Sequence, residues 1–376
     1  MGEHDTSGLK LFDLLARQWT LQEAVVQVAF NHEDTAVLFR LASGEISLAA
    51  LKDAESPKIR TRMELETGRT TIRPRENPVA PVISPQLLLD RSLPVTRFGS
   101  QGFAGVDTQG SLVQITAGGQ VVPKATPGDT TVTSICSSPS GELISIARGA
   151  TLSLHNPPDM EVLAQVDPGH PVTCQSISSD GTKLAAWGKG RLSLINLKDT
   201  SGTDCHIRCD GPVTDIVWND TSGHLACGSS NRHFHIIDLA SQHVQRVEGY
   251  PAPVRTVAFS EKGNALVTSG AYRLAGWSST DLPHDDLPGT PLSTGKPGLV
   301  VIDTIAAHPT FDLIATGYAN GLATIARVGT PEEMMLHHET GTSVSALGWS
   351  RTGEHLAMGF ASGKAAIVTF PAQLFK

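Results

Sequence analysis

Long apolar runs, surplus positive charge, aromatic residues and paired cysteines are all scarce in this 376-residue chain. Nowhere do about 18 consecutive apolar residues occur, so no segment is expected to cross a membrane as a helix. Lys and Arg number 29 against 37 Asp and Glu, a formal net charge of −8. That balance argues against the broad positive field by which proteins hold nucleic acid. The five cysteines, Cys136, Cys174, Cys205, Cys209 and Cys227, are too few and too scattered for a disulfide framework. An odd count without an apparent secretory signal reads as free thiols in a reducing, cytoplasmic setting. Met1–Thr6 fits the loose N-myristoylation pattern, but the acidic Glu3 favours coincidence. Aromatic residues are only 5% of the chain, whereas glycines number 36.

What the chain does have is a repeat. A short segment led by Val or Ile recurs as Val25–Phe30, Val95–Ser100, Val132–Ser137, Val172–Ile177, Val213–Trp218, Val254–Phe259, Ile302–Ala307 and Val344–Trp349. Apart from one longer first step, the spacing stays near a period of about 40 residues, the mark of a repeat architecture. Turns follow the segments: Ser138-Pro-Ser-Gly141, Ser178-Ser-Asp-Gly181, Asn219-Asp-Thr-Ser-Gly223, Ser260-Glu-Lys-Gly263 and Ser350-Arg-Thr-Gly353. Ser and Asn bond back to the backbone and Gly accepts positive φ, so each turn predicts a tight hairpin. A second strand rich in small residues follows, then a third, and in several repeats a fourth, as in Val162–Val166 and His243–Val247.

Short antiparallel strands repeating at this interval, without helical periodicity between them, predict the blades of a propeller. The fold class expected is all-β: a single β-propeller of about eight four-stranded antiparallel blades, closed by an N-terminal strand. The pattern resembles the WD-repeat family over about residues 17–370, in period more than in signature. Gly169-His170 stands nearest to that family's Gly-His mark, and Trp277 alone fills the Trp slot. Ser43, Gln109, Asn320 and Ser362 occupy the turn position where the family carries Asp. The family's buried hydrogen-bond network is therefore mostly missing, and packing has to carry the blades. Seven blades, the commoner number in that family, is the alternative, because the first hairpin of the second repeat is short.

Closure offers a separate test. The last repeat ends at Phe370 without an outer strand, and Arg17–Gln22 has the right character to supply one. Residues 1–16 then form an N-terminal cap or tail, with Leu9–Ala16 a short helix, and 17–376 the propeller. Two insertions interrupt it, at 52–91 and 280–298. In the first, Ile59–Glu66 alternates as that blade's outer strand would, and Asn77–Pro85 is an extended linker. Its cations, Arg60 and Arg62 among them, make it either a docking segment for an acidic partner or a solvated connection. The second, with His284 and Asp281, Asp285 and Asp286, reads as a loop standing out from one face.

Catalytic constellations are harder to find. Gly289–Lys296 has the wrong spacing for a phosphate loop, with Pro297 where Ser or Thr is required. Cys205 and Cys209, and His233 and His235, share strand faces without a second ligand pair, and His337-His338 stands alone, so no metal or cofactor is expected. No nucleophile elbow is present. The innermost strand is more informative. Its second position runs Val26, Thr96, Thr133, Thr173, Thr214, Arg255, Asp303 and Ser345. Two opposite charges on neighbouring blades, Arg255 and Asp303, predict either an inter-blade ion pair or a polar anchor for a partner. Fold resemblance implies a non-enzymatic scaffold or adaptor that binds a protein partner through rim and channel-mouth loops, with no nucleic acid, no membrane and no sign of a homo-oligomer. The alternative is a propeller hydrolase or lyase with its site at the channel mouth.

Overall fold

A computed structural model describes residues 10–63, 70–126, 128–157, 159–200, 202–203, 205–338 and 341–375, the side chains of Met63 and Thr70 excepted. The myristoylation pattern at Met1–Thr6, and residues 64–69 of the first insertion, lie outside them. The chain builds eight antiparallel sheets in sequence order, the eighth combining Ala16–Thr20 with Lys364–Thr369, His355–Phe360 and Val344–Trp349. Each innermost strand touches that of the next blade, and the eighth touches the first, so the sheets form a closed ring. An eight-bladed β-propeller results.

Blades this small bury little alone, which is why they must stack. The core is accordingly divided into eight apolar clusters, one at each interface between neighbours. Aliphatic and small residues fill them, as Val37, Leu38, Ala185, Ala186, Leu225 and Ala226 do, each at most 1% exposed. The few tryptophans are spent between blades. Trp218 and Trp349, at the same position of their strands, donate Nε1–H to the carbonyls of Ser176 (3.2 Å) and Ala306 (3.1 Å) on the preceding blade.

The Ser- and Asn-led turns form as expected. Ser138, Ser178 and Ser350 each accept the amide five residues on, from Leu143, Lys183 and His355. Gly141, Gly181 and Gly353 take φ near +70° there. In the turns begun by Asn219 and Ser260 the left-handed position falls instead on Ser222 and Asn264. The side-chain bond, not the glycine, is thus the constant feature.

The N-terminal strand closes the ring in antiparallel register, Ala16 opposite Val368 and Thr20 opposite Lys364. The short helix Leu11–Leu15 precedes it and buries Phe12 and Leu15 against blades seven and eight. His337, of the isolated histidine pair, lies in the core. Its ring is buried between Phe12 (4.6 Å) and Phe360 (4.8 Å), with Nδ1 2.9 Å from the carbonyl of Gly321.

Two blades have three strands rather than four, and they are the two that precede the insertions. The expected outer strand at Ile59–Glu66 does not join blade one. Thr61–Met63 pairs instead with Thr70–Ile72 in a separate hairpin. Ile83 covers the edge by exchanging backbone hydrogen bonds with Leu48, at 2.7 and 2.8 Å. Pro81 and Pro85 flank it and lack donors, so the ladder cannot extend. Blade six repeats the device. Leu292 donates to Gly276 and Ser278 to Thr290, with Pro291 opposite Trp277. The segment read as a protruding loop therefore runs in part along the blade edge, with Thr294 fully buried and the Leu287 tip standing clear at 68% exposure. Both insertions blunt an edge that would otherwise offer unpaired backbone groups.

The first insertion also clasps the closure. Arg60, only 3% exposed, donates Nε–H to Glu55 (2.8 Å) and an Nη2 hydrogen to Leu14 (2.6 Å), with Nη1 on the carbonyl of Arg73. Asp53 receives a two-pronged bond from Arg75, at 3.1 and 2.5 Å, and lies 3.8 Å from the buried Arg17 of the closing strand. Trp19 donates its indole N–H to Ala80, at 2.8 Å. Asp53, Arg60 and Arg75 are thus turned inward, onto the seam, whereas Lys58, Arg62 and Arg73 stay exposed.

Candidate functional site at the channel mouth

In the blades of Val25, Val213, Ile302 and Val344 the first residue of the inner strand pairs with Leu41, Ser229, Tyr318 and Phe360, at the end of the second strand. The starts of inner strands and the loops between second and third strands therefore lie on one face. Position two of the inner strand rings the channel mouth there. In the same four blades the register skips a residue at Val26, Thr214, Asp303 and Ser345, so each sits on a β-bulge. A bulge re-aims the side chain it carries.

The preference for small hydroxyl residues at this position has a structural cause. Thr133 donates to the carbonyl of Val172 (2.6 Å), Ser345 to that of Val25 (2.5 Å) and Thr214 to that of Arg255 (3.4 Å). Each bond runs from one blade to the next. Position three adds acceptors. Thr256 Oγ1 takes the amide of Ile305 at 3.2 Å, and Gln27 Oε1 that of Val95 at 2.9 Å. Asp215 accepts from the amides of Ile216 and Val257, yet burial pushes its carboxyl up to about 6. The mouth is stitched by side chain to backbone, in place of the Asp-centred network of WD repeats.

Arg255 and Asp303 break the pattern. They occupy corresponding positions on blades six and seven, Arg255 exposed and Asp303 half-buried. Burial raises the Asp303 pKa, and the positive charge of Arg255 opposes that rise. The charges sense each other, but no hydrogen bond or close ion pair joins them among the described residues. Between them lies the loop Gly270–Tyr272, fixed on both sides. Ala252 donates to Gly270 (3.2 Å), Gly270 to Ile302 (2.8 Å), Ile302 to Ala271 (2.9 Å) and Gly298 to Tyr272 (3.1 Å). Tyr272 is 47% exposed and Leu299, next to Gly298, is 95% exposed. An aromatic ring, an aliphatic side chain and two unlike charges thus share a pinned surface.

Arg60 and Arg62 part company. Arg60 is sequestered on three carbonyls, whereas Arg62 is exposed on the insertion's hairpin. Tyr272 and Leu299 carried no sequence signal, because solvent exposure of a loop residue is not written in its neighbours. A groove of about 680 Å³ lies by the closure seam and is lined by one ionisable side chain, Glu45. General acid–base chemistry needs a positioned proton donor and acceptor, and that lining does not pair them.

No protein-family model and no curated protein matches the sequence. Solved structures do match in fold. A chain of the mitotic checkpoint complex aligns over 76% of this chain and 90% of its own, with a TM-score of 0.59 and 16% identity. The Cps50 (Swd1) β-propeller domain of Myceliophteria thermophila aligns over 73% and 96%, with a TM-score of 0.52 and 17% identity. These likenesses extend to the β-propeller; at such identity they concern fold alone.

Proposed function

We propose that the protein is a non-enzymatic interaction scaffold that holds a protein partner at the channel mouth, around Tyr272, Leu299, Arg255 and Asp303. The observation that carries this reading is the exposure of Tyr272 and Leu299 on a loop pinned by backbone hydrogen bonds. Aromatic and Arg side chains anchor interfaces, and a surface already ordered loses little entropy on binding. Arg255 and the partly buried Asp303 supply direction to a partner of mixed charge. Arg62 extends the reading to the rim of blade one. One of the structures similar in fold comes from a protein complex, which fits a scaffold. All five cysteines are free thiols, in keeping with a reducing, cytoplasmic location.

The test is capture of the tagged full chain from its native cell, followed by mass spectrometry of co-eluting proteins. The triple variant Tyr272→Ala, Leu299→Ala, Arg255→Glu loses the specific partner, whereas Met335→Ala, on the outer strand of blade seven, retains it. Equal recovery by both variants overturns the proposal.

A further inference from the structure

Two residues of the second insertion meet one from the neighbouring blade at a place that does not involve the channel mouth. His243 opens the outer strand His243–Val247 of blade five. His284 and Asp285 come from a tight turn of the insertion, closed by reciprocal bonds between His284 and Leu287, at 3.1 and 2.9 Å. One ligand atom from each of the three lies within 4.8 Å of the other two. His243 Nε2 is 3.4 Å from Asp285 Oδ1, and His284 Nδ1 is 3.1 Å from Asp285 Oδ2. The imidazole rings stack, with centroids 4.0 Å apart and planes at 26°.

An ordinary His–Asp pair would aim an N–H at the carboxylate. Here His243 Nε2 is shielded from solvent and has no hydrogen-bond partner, although a carboxylate oxygen stands within 3.4 Å. The polar atoms converge without bonding one another. Ligand atoms around a tetrahedral zinc, bound at about 2.0–2.1 Å, stand roughly 3.3 Å apart, close to the 3.4 and 3.1 Å that separate the two imidazole nitrogens from the Oδ1 and Oδ2 atoms of Asp285 respectively. A cavity of about 200 Å³ opens beside them, also lined by His224, Asp238 and Asp281, whose carboxylates favour a cation.

The geometry points to a binding site for a first-row divalent ion of zinc's preference, held by His243 Nε2, His284 Nδ1 and Asp285, with the fourth position open to water or to a partner's side chain. Two imidazoles and one carboxylate suit zinc and its neighbours rather than calcium or magnesium, which prefer oxygen alone. Bound there, the ion clips the insertion of blade six to the outer edge of blade five. The sequence hides the site because His243 and His284 are 41 residues apart and belong to different blades.

The test uses the full chain, free of affinity tag, stripped with chelator and dialysed. Zn²⁺ is titrated by calorimetry and Co²⁺ by visible absorption. One ion binds per chain, with the absorption of a low-coordinate nitrogen–oxygen site, and raises the thermal midpoint. Loss of an outer-shell partner alone weakens metal binding 10- to 100-fold, so His243→Ala and Asp285→Asn each weaken it at least about tenfold. His206→Ala, at an exposed histidine on the outer strand of blade four and away from this cavity, leaves affinity unchanged. Circular dichroism verifies the fold of each variant, and Asp285→Asn, at an exposed position, keeps the test valid if a histidine variant misfolds. Absence of saturable binding at one ion per chain, or unchanged affinity in a folded His243→Ala/His284→Ala double variant, overturns the inference.

Discussion

Ser345 donates its hydroxyl hydrogen to the carbonyl of Val25 at 2.5 Å, joining residues 320 positions apart in the chain. The same seam is held on the opposite face by Asp34, whose carboxylate accepts the amides of Arg351 (3.1 Å) and Thr352 (3.0 Å). Blade eight therefore meets blade one through the same kind of stitch that joins Thr133 to Val172 inside the ring. Closure is local chemistry repeated once more, between the two ends of the polypeptide.

Removing the stitch has a modest, defined effect. Ser345→Ala lowers unfolding free energy by about 1 kcal/mol, the usual net worth of one hydrogen bond. Adding Asp34→Ala, which removes two bonds to exposed amides that water then solvates, lowers it by about a further 1 kcal/mol. Urea unfolding monitored by tryptophan fluorescence reads both. A double variant as stable as wild type contradicts the seam described above.

Arg60 is expected to matter more than its place in a charged, proline-rich segment suggests. Arg60→Met strands the carbonyls of Leu14, Glu55 and Arg73, costing about 3 kcal/mol or more. Arg62→Met, at an exposed position, stays within about 0.5 kcal/mol of wild type. Limited proteolysis distinguishes them, since the clasp must loosen in the first variant alone. Equal behaviour of the two would place the insertion outside the closure.

Two groups give stability an opposed dependence on pH. Burial pushes the Asp215 carboxyl up to about 6, whereas an unfolded Asp titrates near 3.9. Ionisation therefore disfavours the folded state, and Asp215 removes stability as pH rises from about 4 to about 6. His355 is depressed to about 4, chiefly by burial and against the pull of Glu354. Its contribution is complete above the ordinary value near 6.5 and is lost as pH falls towards 4. In the wild type the two slopes offset each other. Asp215→Asn gains about 2 kcal/mol at pH 7, a gain that vanishes near pH 4. His355→Gln, which can still bond Thr369, lacks the acid-side loss. Thermal midpoints from pH 4 to 8 reveal both slopes, and parallel profiles for wild type and variants refute the assignment.

Backbone proximity sets a further limit within blade four, where the chain enters its inner strand. A Cβ at Gly188 would lie 1.8 Å from the carbonyl oxygen of Pro171. Gly188→Ala cannot be absorbed by a flexible side chain and costs about 3 kcal/mol or more. Gly181→Ala strains only a left-handed turn with open space around it, at about 1 kcal/mol. Comparing their denaturation midpoints checks the ranking.

The propeller was legible in the sequence because its two determinants are local. Period and turn chemistry, seen in Ser178–Gly181 and its equivalents, recur in order along the chain. The unfinished last blade pointed to Arg17–Gln22 as its missing strand. The fourth edges of blades one and six were not legible, since each is supplied through single contacts, Ile83 to Leu48 and Pro291 to Trp277, that leave no alternation behind. Arg60 looked like a surface cation for the same reason that Tyr272 and Leu299 passed unnoticed. Burial of a long side chain in a connection depends on what folds over it, and that information is tertiary. Position two of the inner strand was singled out by composition. Its hydroxyls proved to be ring stitches, and its two charges frame the surface proposed for binding.

The most direct test of the account is whether the two ends of the polypeptide are strand neighbours in solution. Thr20 and Lys364 are directly opposite in the closing pair, at a spacing a disulfide can bridge. Oxidation of the Thr20→Cys/Lys364→Cys variant, followed by peptide mapping, should yield an intramolecular link between the first and last strands and a higher unfolding midpoint. Free thiols at both positions, or links formed only between molecules, would show that the ring is not sealed by the N-terminal strand.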